Sequence, residues 1–387
     1  MALQQQRRRF LRLAGASVGM SAYASTLGIQ CSAVAGSDSL QPAERRRPAL
    51  KEVYKEHFLI GMAGDLPGNY SQQELALVKE HFNVVTPENC MKPGPVHPSE
   101  NIWRFERCDA LVKWCLDNNM AVHGHTLVWH AQTSDWFFRD GDKSVVVQRM
   151  KDHITTLVGR YKGKVRSWDV VNEAISDGGH SQTAQTENLR NSSWLKAVGP
   201  EFITLAFKFA HQADPDAKLY YNDYGIEAGP KHASAMVLLR RLIKEGAPIH
   251  AVGIQGHWST RGIPYAALDR AIAAFASLGL KVGITELDVT IGGASGGQFG
   301  PRRFANLPPP SPEDLKTQAD AYARLFAIFV KHNQVVERVT FWGLSDRRTW
   351  RFGQHPLIFD ANNQPKPAYW AIVDVLLNSN RDLPAPR

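Results

Sequence analysis

The chain has 387 residues, 43% of them hydrophobic and 21% charged, a globular composition long enough for one large barrel or two average domains. Its formal net charge of +8 is concentrated at one end: residues 1–47 carry seven arginines against Asp38 and Glu44, a net of +5, which leaves +3 for the other 340. A charge that small, without a basic stripe, argues against a polyanionic partner and drops nucleic-acid binding.

At the N-terminus, Arg7-Arg8-Arg9-Phe10-Leu11-Arg12 precedes a small-residue, modestly apolar stretch from Leu13 to about Leu27. This resembles a bacterial twin-arginine export signal. The stretch is too short and too rich in Gly, Ser and Ala for a good membrane span, so no membrane contact is expected of the mature form. Ala22-Tyr23-Ala24 and Ala33-Val34-Ala35 both fit a small-x-small cleavage site. Residues 1–47 are therefore set apart as signal and linker, residues 48–387 as the folded domain, and the protein is expected in the periplasm or outside the cell.

Export implies an oxidising compartment, yet the chain has four cysteines only, Cys31, Cys90, Cys108 and Cys115. Cys108 and Cys115 lie seven apart on one expected helix, about 10.5 Å along its axis, beyond disulfide reach. No Cys/His zinc spacing is present.

From residue 50 onward short apolar runs alternate with longer amphipathic stretches. The runs are 58–63, 84–86, 121–128, 165–171, 218–222, 251–255, 281–287 and 339–344. Helical periodicity falls between them, over 72–80, 108–118, 145–160, 202–213, 233–245, 266–278 and 315–332. Eight such units over some 330 residues predict an α/β protein with a parallel sheet closed as a (β/α)8 TIM barrel. A doubly wound open sheet would call for a Gly-rich phosphate turn, which the sequence lacks. Residues 292–312, with five glycines and five prolines, read as a long loop after the seventh strand.

In such a barrel the active site lies at the C-terminal strand ends. Here seven strands run into polar or aromatic residues: Glu88-Asn89 with Lys92; His123 to His130; Trp168 to Glu173; Asn222-Asp223-Tyr224; Gln255 to Trp258; Thr285 to Asp288; and Trp342 to Asp346, with Trp350 beyond. Glu173 and Glu286 dominate. Glycoside hydrolysis needs such a pair, one protonated to donate to the leaving oxygen and one ionised. Alternation along a strand puts Glu286 with Asp288, Gln255 with His257, and His123 with His125. It puts Asn172 opposite Glu173, so both serve one site only if the strand is irregular there. A rival reading takes His123, His125, His130 and His257 as metal ligands, though no compact ligand motif joins them. His153, His211, His232 and His332 fall in helical stretches and are expected at the surface.

The strings TPENCMK (86–92), HGHTLVWH (123–130), WDVVNEA (168–174), NDY (222–224), GIQGHW (253–258), ITELDV (284–289), FWGLSD (341–346) and PKPAYWAI (365–372) together resemble glycoside hydrolase family ten. The resemblance spans about residues 50–375. It implies a retaining endo-β-1,4-xylanase acting on xylan and xylo-oligosaccharides through a covalent glycosyl-enzyme, with no cofactor and no metal. It also implies Glu173 as acid/base and Glu286 as nucleophile. Asn172 would bond the sugar 2-hydroxyl, and His257 and Asp288 would orient and charge Glu286. Gln255 would steer Glu173, and Tyr224 would line the reaction centre. Glu88, Asn89, Lys92, His125 and Trp129 resemble the glycone-side set, and Trp342 and Trp350 would wall the sugar nearest the scissile bond. The chain departs from the family pattern at Cys90, at Pro93 where a Trp usually follows the lysine, and in the long 292–312 segment. Cys90 beside a polar cleft is expected to be oxidisable, and the protein is expected to be a monomer.

Other endo-glycanase specificities share this mechanism. A non-catalytic carbohydrate-binding protein would not need both glutamates, and a metal hydrolase would lose activity with chelator.

Overall fold

The structure, a computed structural model, describes residues 47–178, 187–291 and 309–377. The segment read as an export signal, with Cys31, and most of residues 292–312 lie outside the described residues. Among the described residues nine strands form: β1 Leu59–Ala63, β2 Val84–Thr86, β3 Ala121–Trp129, β4 Ser167–Asn172, β5 Lys218–Asp223, β6 Ala251–Ile254, β7 His257–Ser259, β8 Lys281–Thr290 and β9 Val336–Phe341. All pairings between them are parallel, in the order β6-β5-β4-β3-β2-β1-β9-β8, and β6 pairs with β8 to close the ring. The short β7 continues beyond β6 and pairs with the far end of β8. The fold is a closed (β/α)8 barrel, as the alternation of runs predicts.

The longer helices cover the barrel because each presents an apolar stripe to it. They are α1 Leu50–Val53, α2 Gln72–His81, α3 Pro93–Val96, α4 Glu106–Asp117, α5 Lys143–Arg160, α6 Ser193–Val198, α7 Phe202–Ala213, α8 Gly229–Lys244, α9 Tyr265–Ala276, α10 Pro312–Lys331 and α11 Pro367–Leu377. Helix α2 begins on a capping box, with the Ser71 hydroxyl accepting from Glu74 N and the Glu74 carboxylate accepting from Ser71 N. Helix α10 repeats the device with Ser311 and Asp314 and adds Pro312 in its first turn. Each cap stabilises its helix by about 1 kcal/mol.

Three expectations change. The last strand starts three residues earlier than the apolar run, because Arg338, which breaks the pattern, is buried. His153 is buried, not superficial: α5 turns it inward, where its Nδ1 lies 3.2 Å from His97 Nδ1. Cys90 is buried too, and its thiol is pushed up by a hydrogen bond with Cys108 and by burial, which removes the thiolate that oxidation requires. The described Cys90, Cys108 and Cys115 are free thiols.

Candidate active site

The strand that carries Asn172 and Glu173 is irregular, as a shared site demands. Along β4, Asp169 pairs with Tyr220 and Val171 with Tyr221, so Val170 is an extra residue with no partner on β5. That bulge resets the alternation and puts Asn172 in phase with Asp169. Glu173 then leaves the strand with φ +56°, in the left-handed region, which turns its side chain back to the face that Asn172 occupies. The arrangement is anchored by Arg190, whose Nε donates to the Glu173 carbonyl at 3.0 Å.

Glu173 Oε2 accepts from Trp129 Nε1 at 2.9 Å, and its Oε1 accepts from Gln255 Nε2 at 2.9 Å. His130 Nδ1 lies 3.9 Å from Oε2. Burial and then the Arg190 charge drive His130 down to about 4, so it is neutral near neutral pH.

Glu286, on β8, is buried. Its Oε1 accepts from Asn222 Nδ2 at 2.8 Å, and its Oε2 faces His257 Nε2 at 3.1 Å. His257 Nδ1 faces Asp288 Oδ2 at 2.9 Å. Burial alone would lower this imidazole, but the charges and hydrogen bonds of Asp288 and Glu286 outweigh it and raise it to about 9. His257 is thus an imidazolium between two carboxylates. Asp288 is held in turn by Arg351 Nε at 2.9 Å and by Trp350 Nε1 at 2.9 Å.

A chain of amides joins the two glutamates. Asn222 Nδ2 donates to Asn172 Oδ1 at 2.9 Å as well as to Glu286, and Gln255 Nε2 reaches the same Asn172 oxygen at 3.4 Å. Asn172 spends its oxygen on these neighbours, which leaves its Nδ2 as the group able to donate to a ligand. Asn222 fits because residue 253 on the next strand is glycine: a Cβ there would meet Asn222 Oδ1 at 2.3 Å.

On the β2 side, Asp65 Oδ1 accepts from the backbone N of Asn89 and of Cys90, at 3.1 and 3.0 Å, and fixes the loop that presents Glu88, Asn89 and Lys92. Lys92 Nζ contacts Asn89 Oδ1 at 3.3 Å and lies 5.1 Å from the Trp129 ring. Burial lowers Lys92 against the charges of Glu286 and Glu88, and burial raises Glu88 against the charge of Lys92. His125 Nδ1 faces Asp169 Oδ2 at 2.9 Å and meets Trp342 edge-on at 5.3 Å. Burial works against the Asp169 charge, but His123 and His125 outweigh it and hold the carboxyl below the usual range. Trp342 is buried between His125 and His257, whereas Trp350 stands at the rim, 37% exposed. Tyr224 is tied by its hydroxyl to Asp177 and Arg190 and lies under Lys231, 3.6 Å from the ring centroid.

The structure therefore brings Gln255, Asn172, Trp129, His257 and Asp288 onto the two glutamates directly or through one partner. Tyr224 reaches no carboxylate of the pair: through Arg190 it meets only the Glu173 carbonyl. Sequence reasoning gave no role to Asn222, Asp169, Arg190 or Arg351. Asn222 stood in the NDY string, and pairing it with Asn172 across adjacent strands would have found it. The histidines of the metal reading face carboxylates or hydroxyls: His123 meets Ser167 and Asp169, His125 meets Asp169, and His257 meets Glu286 and Asp288. Among the described residues no group of three or more His, Cys, Asp or Glu is disposed to hold a metal ion.

Residues 49–375 match the model of glycosyl hydrolase family 10. A β-1,4-xylanase of Dictyoglomus thermophilum is 42% identical over 333 residues, covering 84% of this chain and 90% of its own length. An endo-1,4-β-xylanase of Geobacillus stearothermophilus is 39% identical, with coverage of 85% and 98%. Other relatives are longer: the chain spans only 47% of the endo-1,4-β-xylanase A of Caldicellulosiruptor sp. (strain Rt8B.4), at 38% identity. Among solved structures, the intracellular xylanase TsXylA of Thermoanaerobacterium saccharolyticum JW/SL-YS485, a mutant in complex with xylotriose, superposes with a TM-score of 0.75 at 36% identity, covering 85% of this chain and 99% of that one.

Proposed function

The chain belongs to glycosyl hydrolase family 10, and we propose that it is an endo-1,4-β-xylanase that retains anomeric configuration, with Glu286 as nucleophile and Glu173 as acid and base. The observation that carries these roles is the unlike company of the two carboxylates. Glu286 lies against an imidazolium and an amide donor, partners that favour a permanent negative charge. Glu173 receives only the neutral donors Trp129 and Gln255, with a neutral imidazole nearby, so no cation ties it to one charge state and protonating it strands no partner charge.

In the first step Glu286 attacks the anomeric carbon while Glu173 passes its proton to the departing glycosidic oxygen. In the second, Glu173 takes a proton from water, which displaces Glu286 and restores the starting configuration. The free Nδ2 of Asn172 donates to the sugar 2-hydroxyl. Glu88, Asn89, Lys92 and Trp350 receive the glycone, Trp342 and His125 back the reacting sugar, and Tyr224 stands on the aglycone side. The cycle draws on these side chains and water, without a cofactor.

Reducing-sugar release from xylan, mixed-linkage β-glucan and mannan, with Glu286→Ala alongside, tests the reading. Turnover of xylan that the variant loses supports it. Turnover confined to glucan or mannan removes the substrate assignment. The arginine-led segment before residue 48 supports export of the catalytic domain, 48–387, to the periplasm or beyond. Cell fractionation after changing Arg7, Arg8 and Arg9 to lysine tests this, with retention in the cytoplasm as the expected outcome.

A further inference from the structure

Beyond the two glutamates, the glycone side of the cleft opens into a cavity of about 270 Å3 lined by Asp65, Tyr70, Glu88, Arg107, Arg347 and Trp350 among others. That is at the small end for a ligand pocket, about 300 Å3 upward, and suits a single sugar ring better than a run of chain. Glu88 and Trp350 belong to both the cavity and the proposed glycone site, so the cavity communicates with the cleft.

Its charges are unevenly used. Residues 347–351 contain three arginines. Arg348 is committed to Glu74, at 2.8 and 3.0 Å, and lies 4.6 Å from the Tyr70 ring. Arg351 is committed to Asp288. Arg107, across the cavity, makes one contact of 2.9 Å to Asp65 and keeps a side chain 69% exposed. Arg347 is exposed and has no hydrogen bond or ion pair among the described residues. The cavity thus carries one guanidinium with no carboxylate and a second with unused donors. A guanidinium fork matches a carboxylate in both shape and charge.

We propose that this cavity takes an acidic sugar branch, a uronate linked to the xylan backbone on the glycone side of the scissile bond, with Arg347 as the residue that reads its carboxylate and Arg107 in support. The proposal rests on the xylan reading of the cleft. It makes the chain selective for acid-substituted xylan where neutral branches offer nothing to Arg347.

The test compares kcat/KM for three defined oligosaccharides of equal backbone length: unbranched, uronate-branched, and the same branched compound with its carboxyl reduced to the alcohol. The native enzyme is expected to favour the acid over the reduced form by roughly 2- to 5-fold, the range of an exposed ion pair. Arg347→Ala is expected to collapse that ratio towards one, and Arg347→Lys to restore part of it. The unbranched compound serves as reference for folding. A native ratio near one, or a ratio that Arg347→Ala leaves intact, overturns the proposal. Failure on all three compounds sinks the xylan reading instead, so the two failures are distinguishable.

Discussion

One amide nitrogen of Asn222 serves both halves of the site, donating to Glu286 Oε1 at 2.8 Å and to Asn172 Oδ1 at 2.9 Å. A hydrogen bond to a charged group contributes about 1.5–3 kcal/mol. Asn222→Ala is therefore expected to lower kcat/KM on xylan about 10- to 100-fold. Asn222→Asp replaces a donor by a second carboxylate and is expected to move the acid limb of the pH profile upward. Steady-state kinetics from pH 4 to pH 8 check both, and an unshifted limb in the aspartate variant would remove Asn222 from the account.

The same contact explains a glycine. Gly253→Ala would set a methyl 2.3 Å from Asn222 Oδ1 and 2.8 Å from Thr285 Cγ2, so the amide must move. The expected result is a folded protein with a kcat reduced at least as far as in Asn222→Ala, read by circular dichroism and kinetics together. Normal kcat in a folded Gly253→Ala protein would show that the position of Asn222 does not matter.

Glu173 is assigned the proton, and its removal should tell leaving groups apart. Glu173→Ala is expected to lose about 10²- to 10⁴-fold on xylan, the usual contribution of general acid catalysis, and far less on aryl xylobiosides whose phenols leave unaided. Azide should rescue the second step and yield the β-azide. Equal losses on both substrates would contradict an acid role.

His257 gives a pH dependence with a definite sign. Its folded value of about 9 lies above the ordinary value of about 6.5. The group contributes stability that is fully present below about 6.5 and is lost as pH rises through about 9. Urea unfolding of the native protein between pH 6 and pH 10 is expected to show that loss, and His257→Asn to show a flatter profile. Parallel profiles would mean that the imidazolium is not held by Glu286 and Asp288.

Much of this was legible in the sequence because a closed parallel barrel leaves few choices. Its strands are buried on both faces and read as apolar runs, and the polar residues that interrupt their ends mark the catalytic rim. Glu173 and Glu286, Gln255, and the pair His257 and Asp288 were visible for that reason. What alternation could not give was the bulge at Val170 and the left-handed turn at Glu173, since neither residue type announces them. Arg351 and Arg190 are not legible because Asp288 is remote in sequence from the one and the other binds a backbone carbonyl, which no side chain marks. His153 departs from the surface position expected of a helical histidine because an aromatic cluster with Trp103 and His97 encloses it.

The central claim, that Glu286 forms the covalent bond, is tested most directly by trapping it. A 2-deoxy-2-fluoro xylobioside with a dinitrophenyl leaving group slows the second step and lets the glycosyl-enzyme accumulate. Mass spectrometry of the labelled, digested protein is expected to place one fluoroxylobiosyl group on the peptide containing Glu286, and Glu286→Ala is expected to take up none. A label on Glu173, or inactivation without a covalent adduct, would contradict the assignment.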